Sequence, residues 1–506
     1  MMNKIDYYLD RITMYRLVLY VLLGFIGLAI ILAYIKVLPF SPLALLASTA
    51  FLLVICWAMS VIMERFFNVP ANIESSAITA LILAIIIDPA QSPTAYAFLG
   101  WAAIIAICSK YILAIRKNHL FNPASIAVVI TSLVLGQSAS WWVGTASMTP
   151  LVLIGGLLLA RKLRQVDMVV SFCATVIVST LAITLVQRQL VFVELSHLLL
   201  QSPLFFFACI MLTEPLTAPP TKQLRRLYAV LTGILFIPQI HIGPIYSTPE
   251  LALVLGNIFS YLVSPKQKVI LRIKKKLKLA PNTIDFVFKP SQKLVFLPGQ
   301  YMEFTLAHPH ADSRGNRRYF TLASSPTEGE VHLGVRFYEQ GSSFKQAMAS
   351  IDGSAKLIGA QVAGDFTLPP QPQQKLVFIA GGIGITPFRS MLKYLLDTQQ
   401  GRDIILFYIN KRADEIVYKD VLSAATAKLG VKTFYTLTDV TAVPPNWPGL
   451  VGRINEETLA RAVPDFQERL FYLSGPPDMV RAQEHILKNM QVKSGHIKKD
   501  FFPGLV

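Results

Sequence analysis

The sequence predicts a polytopic α-helical membrane domain, with about ten helices arranged as an inverted repeat, followed by a β-barrel domain and an α/β domain. Three observations predict it. The first 265 residues are dominated by long apolar runs. From Lys268 to about Leu368, short alternating apolar runs are broken by Pro and Gly. After that, β-type runs such as KLVFI open into Gly-rich turns and helical patterns. Domain limits are expected at 1–265, 266–368 and 369–506.

With ~20 apolar residues per span as the guide, helices are expected near 16–36, 43–63, 76–88, 94–114, 122–137, 141–160, 167–186, 194–213, 225–243 and 249–264. The third and fifth are short, as broken helices in a protein interior are. The start, MMNKIDYYLDRITMYR, offers no small-residue cleavage site, so a retained first span is expected. Alternate loops carry Arg116 and Lys117, then Arg161, Lys162 and Arg164, then Lys222, Arg225 and Arg226, then Lys266 and Lys268, while the opposite loops hold only Arg188. That bias places the N-terminus and the soluble half in the cytoplasm, with the chain multi-pass in the cytoplasmic (inner) membrane. The net charge of +17 is then this bias plus the run RIKKKLK at Arg272 to Lys278, and the expected partner is a lipid bilayer, not nucleic acid. Cys56, Cys108, Cys173 and Cys209 all fall within expected spans, so neither a disulfide framework nor a four-cysteine cluster in the soluble half is implied, and no metal site is expected.

A repeat is legible in the membrane half. The third span ends in Asp88-Pro89-Ala90-Gln91-Ser92-Pro93 and the eighth in Glu214-Pro215-Leu216-Thr217-Ala218-Pro219. With an odd number of spans in each half, the second copy is inverted, the arrangement of folds that hold a ligand near the bilayer midplane. The alternative is that each acid-Pro pair simply caps a helix at the interface.

Further along, AGGIGITPFRSM at Ala380 to Met391 and YLSGPPDMV at Tyr472 to Val480 each follow a β-type run, placing Gly-rich loops at strand ends where helix starts expose backbone N–H groups to phosphate. With Thr386 and Pro387 after Gly381, Gly382 and Gly384, and with Gly475, Pro476 and Pro477 in the second loop, the pair resembles the nicotinamide half of the ferredoxin–NADP reductase superfamily. Arg318-Tyr319-Phe320-Thr321 likewise matches that superfamily's flavin motif R-x-Y-[ST], with PGQ at Pro298 upstream and GSSF at Gly341 to Phe344 downstream. The resemblance implies FAD. Arg318 would pair with its pyrophosphate, Phe320 would stack on the ring in place of Tyr, Thr321 would lie near N5, and Ser342 and Ser343 would open a short helix on the phosphates. Ser474 stands where many relatives have Cys beside the hydride path, and Phe501 or Phe502, in DFFPGLV, is the candidate flavin shield unless these rings simply pack on the surface. Thr438-Asp439 replaces the Ser-Arg of NADPH users. A carboxylate at Asp439 repels a 2′-phosphate and accepts from a ribose hydroxyl, so NADH is favoured over NADPH, although Arg453 could still reach that region.

The membrane half carries a second resemblance. HLFNPASIAVV at His119 to Val129, ASMTPL at Ala146 to Leu151 and MLTEPLTAPPT at Met211 to Thr221 resemble the NqrB and RnfD subunits of the Na⁺-pumping NADH:quinone reductase and the Rnf complex. That family implies a ten-helix inverted fold with FMN carried on a threonine, which aligns with Thr149, about two turns into the expected sixth span. Ser147-Met148 stand where the family has Gly-Ala, so covalent FMN, flavin held without a bond and an empty turn all stay open. Haem needs facing His pairs, and the membrane half has only His119, His197 and His241, no two in one span; His119 reads as a solvated neighbour of Lys117.

Together these residues imply a membrane-bound flavin oxidoreductase passing electrons from NAD(P)H through FAD to a membrane flavin, a quinone or an extracytoplasmic acceptor. The alternatives are a transporter-like carrier powered or regulated by the fused reductase, or a ferric-reductase-like haem enzyme.

Overall fold

The structure is a computed structural model and describes residue 9 and residues 12–67, 73–115, 118–242, 245–264, 268–308, 312, 316–338, 341–353 and 355–500. The chain divides into two compact units, with the break between Ser264 and Pro265.

The first unit is helical: α1 (Met14–Tyr34), α2 (Pro42–Phe67), α3 (Ile73–Ile86), α4 (Pro93–Ile112), α5 (Pro123–Leu135), α6 (Thr149–Lys162), α7 (Val166–Val186), α8 (Val191–Leu200), α9 (Leu204–Met211), α10 (Lys222–Leu235) and α11 (Pro249–Val263). Small two-stranded hairpins, β1 (Ala114–Ile115) with β2 (Asn118–His119) and β3 (His241–Ile242) with β4 (Ile245–Tyr246), separate α4 from α5 and α10 from α11. Helix starts follow local chemistry. Ser92, Asn122 and Thr248 each precede a Pro, and each side chain accepts a backbone N–H from the first turn.

Among the described residues, α1, α2, α4 and α7 are long and apolar enough to cross a membrane, and α8 with α9, bent by 53°, makes a fifth candidate span. The expected sixth span at 141–160 is corrected, because its helix begins only at Thr149. Trp141 sits at φ 53°, and its indole N–H reaches Glu250 at 2.9 Å, while the Trp142 indole lies 3.1 Å from the carbonyls of both Ala84 and Ile87. These bonds hold 141–148 as a tethered turn. Thr149 is therefore the first residue of its helix and not two turns within it.

Neighbour relations repeat. In the first set α1 packs on α3, α2 on α3 and α4, and α4 on α5; in the second α6 packs on α9, α7 on α8 and α10, and α10 on α11. The corresponding pairs α1 with α6 and α5 with α11 meet each other.

The second unit opens with six antiparallel strands, β5 (Val269–Ala280), β6 (Thr283–Pro290), β7 (Tyr301–Leu306), β8 (Arg317–Thr321), β9 (Val331–Arg336) and β10 (Lys356–Ala363), in the order β8-β7-β10-β5-β6-β9, with α12 (Ser343–Ser350) between β9 and β10. Burial alternates along β9, as a strand with one core face requires. A parallel sheet follows in the order β14-β13-β12-β11-β15-β16, formed by β11 (Leu376–Gly381), β12 (Ile404–Asn410), β13 (Lys432–Leu437), β14 (Leu450–Val451), β15 (Leu470–Ser474) and β16 (Ile497–Lys499). Helices α13 (Thr386–Asp397), α14 (Lys419–Leu429), α15 (Glu456–Ala462) and α16 (Pro477–Asn489) connect its strands. β11 and β12 are buried at every residue, which is why they read as unbroken apolar runs. The chain leaves β11 toward β12 on one side and returns to β15 on the other, so the strand order reverses between β11 and β15.

Candidate functional site

That reversal is where an open α/β sheet forms a ligand crevice, outside the carboxyl ends of its strands. Ala380 and Ser474 are in register there. Both Gly loops emerge side by side, and they touch so closely that side chains are excluded. A Cβ on Gly384 would lie 2.4 Å from the Ser474 carbonyl oxygen, and one on Gly475, at φ 151°, would lie 2.9 Å from the Gly381 Cα. Gly382 turns at φ 53°. Thr386 and Pro387 start α13, with the Thr386 hydroxyl donating to the Ile383 carbonyl at 3.1 Å, and Pro476 and Pro477 start α16. The two helix N-termini therefore sit at the crevice and supply backbone N–H groups and dipole ends suited to phosphate.

Ser474 is buried, and its hydroxyl donates to Asp500 at 2.9 Å, while the Asp500 amide extends the strand pairing to the Leu473 carbonyl. Asp500 itself is thus tied to the crevice; Phe501 and Phe502 lie outside the described residues. Asp439 follows β13 as expected, but its Oδ1 takes both the backbone N–H and the hydroxyl of Thr441, at 3.1 and 2.6 Å. Those bonds hold its carboxyl below the usual range, so it stays ionised.

In the barrel, Arg318 is 8% exposed, and its guanidinium lies 5.5 Å from the centre of the Phe344 ring. Phe320, two residues along β8, faces Phe304 and Phe344 at 6.0 and 5.9 Å, whereas Tyr319 points the other way and donates to Glu303 at 3.1 Å. Thr321 is buried at the strand end. After Gly341, Ser342 caps α12. One residue that the sequence did not single out joins these parts. Asp312 lies 3.4 Å from an Arg318 guanidinium nitrogen, accepts the Ser343 amide at 3.1 Å, and donates its own amide to the Ser343 hydroxyl at 2.9 Å. Arg318 and the α12 N-terminus therefore converge on a single anionic group, and a carboxylate stands where the oxygens of a pyrophosphate would be received. The residues fit FAD in this respect.

Barrel and sheet are keyed together beside the site. Arg389 on α13 reaches the Ala323 carbonyl at 3.0 Å and pairs with Glu328, and Ser390 donates to the Ser324 carbonyl at 2.6 Å.

In the helical unit, Thr149 is 8% exposed and its hydroxyl donates to the Thr145 carbonyl at 3.0 Å. Any bond to a flavin there requires Oγ1 to give up that partner. A second polar place, not expected from sequence, is a cavity of about 70 Å³ lined by residues that include Ser75, Lys110, Asn122 and Glu214. The reading of His119 as a solvated neighbour of Lys117 is corrected. Its Nε2 lies 3.2 Å from Glu214 and its side chain is only 13% exposed, because the β1–β2 hairpin folds it back onto the end of α9.

Comparison with known proteins separates the two units in the same way. Residues 131–269 match the NQR2, RnfD, RnfE family, and residues 378–485 match the oxidoreductase NAD-binding domain. The chain carries an NQR2/RnfD/RnfE region joined to an oxidoreductase NAD-binding domain. Thr149 and Glu214 lie within the first match, and the Gly381–Gly384 loop, Asp439 and the Ser474–Pro477 loop lie within the second. The chain is 26% identical over 239 residues to a flavohemoprotein of Oceanobacillus iheyensis, covering 46% of this chain and 58% of that protein. It is 24% identical over 206 residues to the glycine betaine monooxygenase reductase subunit of Pseudomonas aeruginosa, covering 40% and 56%. The match thus spans less than two thirds of the length of these relatives. Among solved structures, the flavohaem-like FAD/NAD-binding domain of nitric oxide dioxygenase from Vibrio cholerae aligns with a TM-score of 0.41 at 18% identity, over 47% of this chain and 99% of that one.

Proposed function

We propose that this protein is a membrane-bound NAD(P)H-dependent flavin oxidoreductase that passes electrons from a nicotinamide nucleotide, through FAD, into its NQR2/RnfD/RnfE region. Domain limits at 1–265, 266–368 and 369–506 divide the work into membrane, FAD-binding and nucleotide-binding parts. The observation that carries this reading is the close approach of Gly384 to Ser474 at the strand-order reversal, in the same unit as the Arg318 and α12 cradle.

FAD, when bound, accepts a hydride and releases electrons singly. The chain's residues bind and orient. Arg318 and the amides of Ser342 and Ser343 receive the pyrophosphate, while Phe320, on the Arg318 side of β8, and Thr321, at the strand's end, are the residues assigned to the flavin ring. The backbone N–H groups of Gly382, Gly384 and Gly475 hold the nucleotide, Thr386 with Pro387 and Pro476 with Pro477 shape the two helix starts beside them, and Ser474, fixed by Asp500, borders the hydride path. Asp439 favours a ribose hydroxyl over a 2′-phosphate, hence NADH.

For the membrane unit, the repeated neighbour relations and the two hairpins support an inverted repeat of two five-span halves, with α8 and α9 counted as one broken span. Its redox partner in this reading is a flavin at Thr149, a quinone or an extracytoplasmic acceptor. Lys and Arg placement favours a cytoplasmic N-terminus and cytoplasmic reductase domains in the inner membrane of a bacterium.

The test uses the intact protein in liposomes, with NADH supplied only on the face bearing the reductase domains. Reduction of decylubiquinone in the bilayer, or of ferricyanide trapped inside, is the expected result. NADH oxidation confined to acceptors on the same face would overturn the transmembrane reading.

A further inference from the structure

Glu214 ends a segment that is irregular twice over: α8 and α9 meet at 53°, and α9 includes a π-helical stretch over Phe207–Met211. Such breaks are tolerated at membrane depth where they serve an internal cavity. The cavity is there. About 70 Å³ of free space is bordered by Glu214, Thr213, Asn122, Lys110, Ser75 and Thr79, well above the ~10–15 Å³ that admits a water, and it offers several polar partners.

Glu214 sits between this cavity and the hairpin. One carboxylate oxygen is 3.2 Å from His119 Nε2, and the other accepts the Asn122 side-chain N–H at 2.9 Å. Asn122 is anchored in turn, because its backbone N–H donates to Asn257 at 2.8 Å, and Asn257 donates to the Tyr228 hydroxyl at 3.1 Å. The carboxylate is thus held by α5, α10 and α11 together. Across the cavity, Lys110 donates to the Ser75 carbonyl and hydroxyl at 3.0 Å. The other titratable groups facing this space are Tyr15 from α1 and Cys209 from α9. Asp88, the corresponding acid of the sequence repeat, is exposed.

Ionisable side chains inside a membrane domain are costly and mark ion or proton paths. Electron delivery into a low-dielectric interior is eased by a compensating proton, and a His–carboxylate pair opening on a polar pocket is suited to supply one. We propose that His119 and Glu214 form the proton-uptake site of the membrane unit. His119 takes a proton from water at the hairpin, passes it from Nε2 to the Glu214 carboxylate, and the cavity waters carry it inward. This rests on the reading that the membrane unit reduces a quinone: each quinone takes two electrons from the reductase half and two protons by this route, becoming quinol. Lys110 is a positioning residue that fixes the far wall and keeps the pocket polar.

The experiment uses the intact protein in nanodiscs with NADH and decylubiquinone. Glu214→Gln keeps the shape and the Asn122 contact but cannot carry the proton. His119→Ala leaves a space that imidazole can enter. NADH oxidation by ferricyanide should be unchanged in both variants, which shows that the reductase half is intact, and an unchanged thermal unfolding profile of the intact protein shows that the membrane unit folds. Quinone reduction should fall about tenfold or more, as for loss of a positioned acid–base group. Millimolar imidazole should restore His119→Ala and not Glu214→Gln. The wild-type infrared difference spectrum on reduction should contain a carboxyl C=O band absent from Glu214→Gln. Variants with unchanged quinone reduction, no imidazole rescue or an unchanged infrared spectrum would overturn the proposal. A wild type that oxidises NADH with ferricyanide yet never reduces the quinone would overturn the quinone reading itself.

Discussion

The carboxylate of Asp312 receives the backbone N–H of Ser343 at 3.1 Å. Its other oxygen lies 3.4 Å from Arg318, so a side chain of the protein satisfies the two groups that a pyrophosphate would use. In the proposed FAD site, a bound dinucleotide would compete with this carboxylate for the same donors.

Arg318→Ala is therefore expected to weaken FAD binding by ~1.5–3 kcal/mol, the range for a lost charge-assisted hydrogen bond. Asp312→Asn should act in the opposite direction and tighten it, because the competing charge is removed. Titration of the apoprotein followed by flavin fluorescence reads both; full FAD occupancy in Arg318→Ala would count against the assignment.

Gly384→Ala should be among the most damaging single changes in the nucleotide domain. Its Cβ would stand 2.4 Å from the Ser474 carbonyl oxygen, a backbone atom that cannot turn away. Overpacking of this kind costs about 1–3 kcal/mol, and the displaced loop should raise the KM for NADH well before it affects FAD content. Thermal denaturation and steady-state kinetics separate the two effects.

Asp439→Arg should shift kcat/KM from NADH toward NADPH, since it replaces an ionised carboxylate with a phosphate-binding group. A wild type that already prefers NADPH would contradict the reading of this position.

Thr149→Val removes the hydroxyl while keeping the shape. If a flavin is esterified there, the intact mass of the membrane unit should fall by one FMN in the variant and transmembrane electron delivery should slow, with NADH–ferricyanide activity spared. An unchanged mass and rate would leave Thr149 as a helix start only.

Asp465 accepts from Arg469 at 2.6 Å and from Lys375 at 2.8 Å, contacts that hold its carboxyl down at about 2. The folded value lies below the unfolded ~3.9, so the stabilisation is present above that pH and is lost as pH falls toward about 2. Asp465→Asn should cost about 1 kcal/mol near neutrality, allowing for solvent screening of a partly exposed pair, and nothing at the acid limit. Urea titrations at several pH values measure it.

Much of this could be read along the chain. Ser92, Asn122 and Thr248 announce helices from their caps and following prolines, the unbroken apolar runs of β11 and β12 announce a sheet covered on both faces, and the Gly loops announce strand ends facing a ligand. These signals act between residues a few positions apart, where dihedral preferences and side-chain periodicity suffice. The late start of α6 escaped for a different reason. Residues 141–148 are apolar enough for a helix, yet Trp141 and Trp142 find indole partners at Glu250, Ala84 and Ile87, and those distant bonds override local propensity.

The candidate sites divide the same way. Arg318, Ser342 and Ser343 carry a local motif, while Asp312 joins them only through the turn of the barrel. His119 and Glu214 stand 95 residues apart, and Asn122 and Asn257 stand 135 apart. No pattern along the chain pairs such residues, because their partnership depends on which helix faces close on one another once the apolar surfaces have packed.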